Sequence, residues 1–204
     1  MKGHDVVRPV TLIDSPVANV ANIARVLRAA GASLEVTSDP LAVLRSKKVV
    51  LPGVGSFVAA MEWLRATRID DALREIALRR TPLLGICVGH QLLFDSSDEM
   101  TTTAGLGLIR GRVSRLATSL PVPQIGWNRV RFNGAALFDG IEPDTPFYFV
   151  NSFVAADVPD EIARADYGRA FTAAVQKNNV YGVQFHPEKS SGPGLRVLRN
   201  FVWM

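Results

Sequence analysis

The sequence predicts an α/β fold: an open, mostly parallel sheet with helices on both faces, joined by an antiparallel strand region in the C-terminal half. Three observations carry this. Short apolar runs alternate with amphipathic segments of helix length through the first half. Glycine turns lead from strand ends into helix starts. After about residue 107 the helical period gives way to closely spaced strand-length segments separated by Pro, Asn and Gly.

Residues 10–14 form the first expected strand, followed by a loop over 14–19. From 20 to 30, Ile23, Val26, Leu27 and Ala30 recur at helical spacing until Gly31 stops the helix. Strands over 33–37 and 48–51 are expected to follow one another directly. The second runs into Pro52-Gly53-Val54-Gly55-Ser56-Phe57, a glycine turn opening a helix through Met61, Trp63 and Leu64. A helix over 70–80, with Ile69, Leu73, Ile76 and Ala77 on one face, feeds the apolar run Leu83, Leu84, Ile86. Helical spacing resumes through Gln91, Leu92, Leu93 and Phe94. Residues 107–116, 128–132 and 147–154 read as strands, 170–177 and 180–185 as a hairpin across Asn178-Asn179, and 194–203 as a last helix. With no linker, repeat or low-complexity segment, residues 1–204 are expected to form one domain.

Composition narrows the function. A 48% hydrophobic and 21% charged chain is globular rather than disordered. Net charge is +4, but Lys and Arg are scattered along helix faces without a basic stripe or interleaved aromatics, so no nucleic-acid role is expected. No apolar run is long enough for a bilayer and no signal peptide is read, so no membrane association is expected either. A single cysteine excludes an internal disulfide framework and fits a reducing, cytoplasmic setting. No metal or cofactor is expected.

That one cysteine sits in Gly85-Ile86-Cys87-Val88-Gly89, where an apolar strand turns into a helix. This is the pattern of a nucleophile elbow, with sulfur in place of the usual oxygen. The turn is tight enough that a Cβ two residues either side of Cys87 would meet neighbouring backbone. It also stands the sulfur at a helix N-terminus, which favours the nucleophilic thiolate. A lone buried cysteine is more often a small hydrophobe, so a base has to be found among three histidines. His186 ends an apolar strand in Phe185-His186-Pro187-Glu188, and Pro187 prevents the strand from continuing. Glu188 can then orient one imidazole nitrogen while the other faces the thiol, the logic of nucleophile, base and orienting acid. His90 is the rival base, but it follows Cys87 by three residues on a helix that leaves the elbow.

Gly85-Ile86-Cys87 with Gly89 and Gln91, together with the distant His186-Pro187-Glu188, resembles the class I (triad) glutamine amidotransferases. Pro52-Gly53-Val54-Gly55, Ile125-Gly126-Trp127-Asn128 and Phe185-His186-Pro187-Glu188-Lys189-Ser190 are similar to the glutaminase subunits of imidazole glycerol phosphate synthases. The resemblance runs from the first strand to the last helix. It implies a flavodoxin-like sheet and hydrolysis of glutamine to glutamate and ammonia, with ammonia passed to a cyclase (β/α) barrel subunit in a heterodimer of histidine biosynthesis. It implies Cys87, His186 and Glu188 as catalytic residues. Oxyanion donors would come from Val88 and from the Gly53-Val54 segment, where flanking glycines permit a peptide flip. Glutamine contacts would come from Gln91, Glu99, Ser152 and Phe153, and partner contacts from Trp127 and Asn128, on an expected turn, and from Lys189. Two positions depart from the family's usual pattern. The loop Asp14-Ser15-Pro16-Val17-Ala18-Asn19 lacks glycines, and Asn151 stands where a histidine is usual, which points to a structural duty there. The other readings are a paralogous amidotransferase subunit supplying ammonia to a surface sugar, and a catalytically silent binding subunit.

Overall fold

The computed structural model describes residues 7–16 and 18–204; Val17, in the first loop, lies outside the described residues. In chain order the elements are β1 (Pro9–Ile13), α1 (Val20–Ala29), β2 (Ser33–Thr37), α2 (Pro40–Arg45), β3 (Val49–Gly53), α3 (Phe57–Ala66), α4 (Ile69–Leu78), β4 (Leu83–Cys87) and α5 (Val88–Gln91). Then come β5 (Phe94–Ser97), β6 (Thr103–Ala104), β7 (Ile109–Arg115), β8 (Gln124–Phe132), β9 (Thr145–Asn151) and β10 (Phe153–Ala155). The chain closes with β11 (Glu161–Asp166), β12 (Ala170–Lys177), β13 (Val180–Val183) and α6 (Ser191–Trp203).

A nine-stranded sheet runs β2-β1-β3-β4-β13-β12-β11-β8-β9, and a four-stranded sheet runs β10-β7-β5-β6. Strands β2, β1, β3, β4 and β13 are parallel, and from β13 to β9 every pairing is antiparallel. The expectation of a mostly parallel sheet is therefore corrected: the large sheet is parallel in one half and antiparallel in the other. The strand order reverses direction at β2, and with the right-handed crossovers that are the rule for parallel strands this puts α1 on one face and α2, α3 and α4 on the other. Helix α6 returns beside α1, while α2 and α3 pack against α4. No helix among the described residues is long and apolar enough to cross a membrane.

Three local expectations change. Strands β2 and β3 are not directly consecutive, because Asp39 caps α2 through the Leu41 N–H and Pro40 occupies its first turn. The helix after Cys87 ends at Gln91, and Phe94 begins a strand of the smaller sheet. The Leu93 N–H turns back to the His90 carbonyl, and the Leu92 carbonyl accepts from Leu106, so pairing with the small sheet captures the chain. Residues 147–154 form two strands, not one: β9 ends at Asn151 in the large sheet, and β10 begins at Phe153 in the small one.

This layout fixes where chemistry can occur. Gly53 at the end of β3 is in register with Cys87 at the end of β4, and Ile86 is in register with Val183 at the end of β13. The carboxyl ends of three adjacent parallel strands therefore meet, the usual place for a ligand in an open α/β sheet. Phe185 anchors the segment beyond β13. It is stacked on Phe147 at 4.2 Å and meets Phe149 edge-on at 5.9 Å, both fully buried.

Candidate active site

Cys87 stands at the β4–α5 turn with φ 54° and ψ −110°, a conformation that side chains seldom adopt and that costs about 1–3 kcal/mol. The neighbouring strand leaves no other path. A Cβ at Gly85 would lie 2.5 Å from the Gly89 carbonyl oxygen, and one at Gly89 would lie 2.0 Å from that of Leu51. The sequence expectation for these two glycines thus has a direct steric cause.

His186 is held from both sides of its backbone. Its N–H donates to the Tyr148 carbonyl at 2.8 Å, and its carbonyl accepts from the Ser190 hydroxyl at 2.6 Å. Ser190 Oγ in turn accepts from the Tyr148 N–H at 2.9 Å, so the turn is clamped to β9. Nδ1 lies 2.9 Å from Glu188 Oε1, which leaves Nε2 for Cys87. Burial alone would push the imidazole down. Hydrogen bonding to Cys87 and to Glu188, and the negative charge of both, outweigh burial and raise it to about 10. A histidine held in this way between a carboxylate and a sulfur is the arrangement that activates a cysteine nucleophile.

His90 has the opposite surroundings. It is fully buried, meets Phe94 edge-on at 5.1 Å, and neither ring nitrogen has a partner among the described residues. Burial pushes it down to about 3, so it is neutral at physiological pH and faces core rather than sulfur.

Cys87 and His186 open on a cavity of about 470 Å³, within the range of small-molecule sites, with Glu188 behind the imidazole. Val54, Val88, Gln91, Glu99, Ser152 and Phe153 all line it, as do Asn19, Asn151 and Lys189. Gly53 is not among its lining residues; it lies beside Cys87 on the neighbouring strand, where a Cβ would meet Gly89 N at 2.8 Å. The connection after β5 brings Glu99, and the start of β10 brings Phe153, to the cavity wall. Glu99 is pinned there by the Phe57 N–H at the start of α3. Gln91 Nε2 is committed to the protein, donating to the Phe153 carbonyl at 2.9 Å and to Gln184 Oε1 at 3.0 Å, so only its amide oxygen remains for a ligand. The Ser152 carbonyl is likewise taken, by the Leu116 N–H at 2.9 Å.

Of the expected partner contacts, Trp127 and Lys189 meet on Tyr148, with ring centroids 5.9 Å apart and Nζ 5.8 Å from the ring. The expected turn at Trp127-Asn128 is corrected: both lie within β8. Asn128 is on the other face of that strand and donates to the Asp166 carbonyl at 2.8 Å. The expected group of three is therefore split.

A comparison with protein families matches residues 11–204 to the family described as "Glutamine amidotransferase class-I". The chain belongs to the class I glutamine amidotransferases. Among curated members, "Imidazole glycerol phosphate synthase subunit HisH" of Moorella thermoacetica is 45% identical over 197 residues, covering 95% of this chain and 94% of its own. The protein of the same name from Herpetosiphon aurantiacus is 45% identical over 195 residues, covering 95% and 93%. A solved glutamine amidotransferase structure superposes with a TM-score of 0.76 at 18% identity, covering 96% of this chain and 99% of that one, a likeness of α/β fold.

Sequence reasoning gave no position at the sulfur or its base to Gln184, which reaches Cys87 Sγ, to Ser190, which holds the His186 carbonyl, or to Asn151 on the cavity wall. A polar residue inside the apolar run ahead of His186 was the available signal for Gln184. Asn151 differs from the structural duty expected of it, because both its amide atoms are buried without a partner among the described residues and it lines the cavity. Since Cys87, His186 and Glu188 are assembled without it, Asn151→His is expected to change basal glutaminase activity less than about tenfold, or ~1.4 kcal/mol in barrier. A gain of about a hundredfold or more in initial-rate assays would mark Asn151 as a brake.

Proposed function

We propose that this chain is the glutaminase subunit of an imidazole glycerol phosphate synthase, working in the cytoplasm as a heterodimer with a cyclase (β/α) barrel. The observation that carries the chemistry is the buried Cys87 against a His186 paired to Glu188, at the floor of a cavity with Glu99 on its wall. Whole-length identity to two chains named for that synthase supports the pathway. The strand order β2-β1-β3-β4, continued by a fifth parallel strand, supports the flavodoxin-like reading of this half. The chain is read as one amidotransferase domain, 1–204.

In the proposed reaction, glutamine enters with its ammonium toward Glu99 and its carboxylate toward the N–H groups of the Ser152-Phe153 corner. The Cys87 thiolate adds to the side-chain amide carbon. N–H groups of Val88 and of the Gly53-Val54 segment receive the developing oxyanion. His186 passes its proton to the departing nitrogen, a glutamyl thioester forms, and ammonia leaves. The neutral imidazole then takes a proton from water, which attacks the thioester and releases glutamate, while Glu188 keeps Nδ1 occupied throughout.

The barrel is proposed to dock on the β8–β9 face beside the cavity. Ile125 and Trp127 remain 63% and 54% exposed there, opposite Val150 and Tyr148 in register. Val150 and Lys189 belong both to this face and to the cavity wall, so a partner seated on it would close the site from outside. Gly55, with φ +79°, allows the Val54 peptide to turn when the partner arrives. The test is glutamine carrying heavy nitrogen at the amide, supplied to the complex with an excess of unlabelled ammonium. Heavy nitrogen in the imidazole product is expected. Product that carries only solvent nitrogen, or label that appears in an aminated sugar, would refute this assignment.

A further inference from the structure

The Gln91–Gln184 contact has a defined polarity. The Phe153 carbonyl can only accept, so the Gln91 atom 2.9 Å from it is the amide nitrogen. That same nitrogen lies 3.0 Å from Gln184, whose atom there must be the acceptor oxygen. The other end of the Gln184 amide is then Nε2, and it lies 3.9 Å from Cys87 Sγ, within reach of a hydrogen bond to sulfur. Gln184 is fully buried and its backbone N–H is fixed to the Ala173 carbonyl at 2.9 Å, so neither water nor backbone movement competes for the contact. The chain of amides has one consistent direction, and it ends by presenting an N–H to the candidate nucleophile.

We propose that Gln184 is a further catalytic residue, whose Nε2–H donates to the Cys87 sulfur and stabilises it as the thiolate, with Gln91 and the Phe153 carbonyl locking the amide in the donating orientation. The thiol proton goes to His186, and the Gln184 proton stays on nitrogen. A donor that favours the charged form lowers the energy of the thiolate relative to the thiol. The inference rests on Cys87 being the nucleophile. It also gives Gln91 a second duty, since the residue that contacts substrate also holds the amide that holds the sulfur.

The chain has one cysteine, so iodoacetamide alkylation without glutamine reads this thiol alone. The other titratable or charged groups facing it are His186 with Glu188 behind it, and Glu99 and Lys189 on the cavity wall; the His90 ring is turned to Phe94. None of them changes in the variants. Gln184→Met keeps the volume and removes the donor. Gln184→Glu keeps the shape, can still accept from Gln91, and places an acceptor at the sulfur. Both should raise the alkylation midpoint by at least about one pH unit, so that the rate below it falls about tenfold or more, with Gln184→Glu shifted further. Gln91→Leu, which frees the amide to turn over, should give a smaller shift in the same direction. Unmoved midpoints in both Gln184 variants, with circular dichroism unchanged, would overturn the assignment and leave the glutaminase reading intact. If one variant does not fold, the midpoint of the other decides. A wild-type midpoint at or above the free-thiol value of about 8.5 would overturn both.

Discussion

Replacing the Cys87 sulfur by oxygen, as in Cys87→Ser, is expected to abolish glutamine hydrolysis and leave the fold standing. The substitution exchanges one small buried atom for another in a backbone already fixed by strand register and the clearances at Gly85 and Gly89. Chemically it is drastic. A hydroxyl is far harder to ionise than a thiol, so the charge pairing that lifts His186 disappears along with the nucleophile. Loss on the order of 10³-fold or more is expected, about 4 kcal/mol or more in barrier. Glutamate release gives the rate, and intact mass after quenching gives the covalent glutamyl adduct, present in wild type and absent in the variant. Substantial residual hydrolysis by Cys87→Ser would remove sulfur from the mechanism.

His186→Ala should lose activity on a comparable scale, because the thiol then has no acceptor for its proton and the leaving nitrogen no donor. His90→Ala is the informative control. It empties a fully buried site and so should lower the urea midpoint, yet it removes nothing that faces the sulfur. At a temperature where both variants are folded by circular dichroism, His90→Ala should keep glutaminase activity within about tenfold of wild type. A larger loss in His90→Ala than in His186→Ala would reverse the two assignments.

The parallel half of the large sheet could be read in the sequence because each strand there is a short apolar run bounded by an amphipathic helix or a glycine turn. The elbow could be read for a steric reason: only glycine fits at 85 and 89, and that leaves a mark in sequence. Three features left a weaker mark. Helix α2 is a six-residue turn whose signal was the Asp39-Pro40 cap rather than any period. Apart from β7, the small sheet is built from strands of two to four residues, too short to display alternation, and its pairing of β5 with β7 depends on contacts distant in sequence. The face carrying Trp127 looked like a turn because Gly126 and Asn128 are turn formers; in the fold Gly126 is a strand residue with φ +138°. Within the site, residue types at motif positions pointed to Cys87, His186 and Glu188, whereas the Gln184 contact required knowing that β13 lies beside β4. Register between strands nearly a hundred residues apart is not written in either strand alone.

Glutaminase activity at saturating glutamine, measured for this chain alone and then with its barrel partner, is the most direct test of the proposed function. The proposed coupling requires the free chain to idle, with the Val54 N–H at the cavity wall held from the oxyanion until the partner turns that peptide. Supplying an oxyanion donor contributes on the order of a hundred- to a thousandfold, so stimulation of that size is expected when the partner covers Trp127, Val150 and Lys189. Equal rates with and without the barrel would contradict the proposed coupling between the β8–β9 face and the chemistry at Cys87.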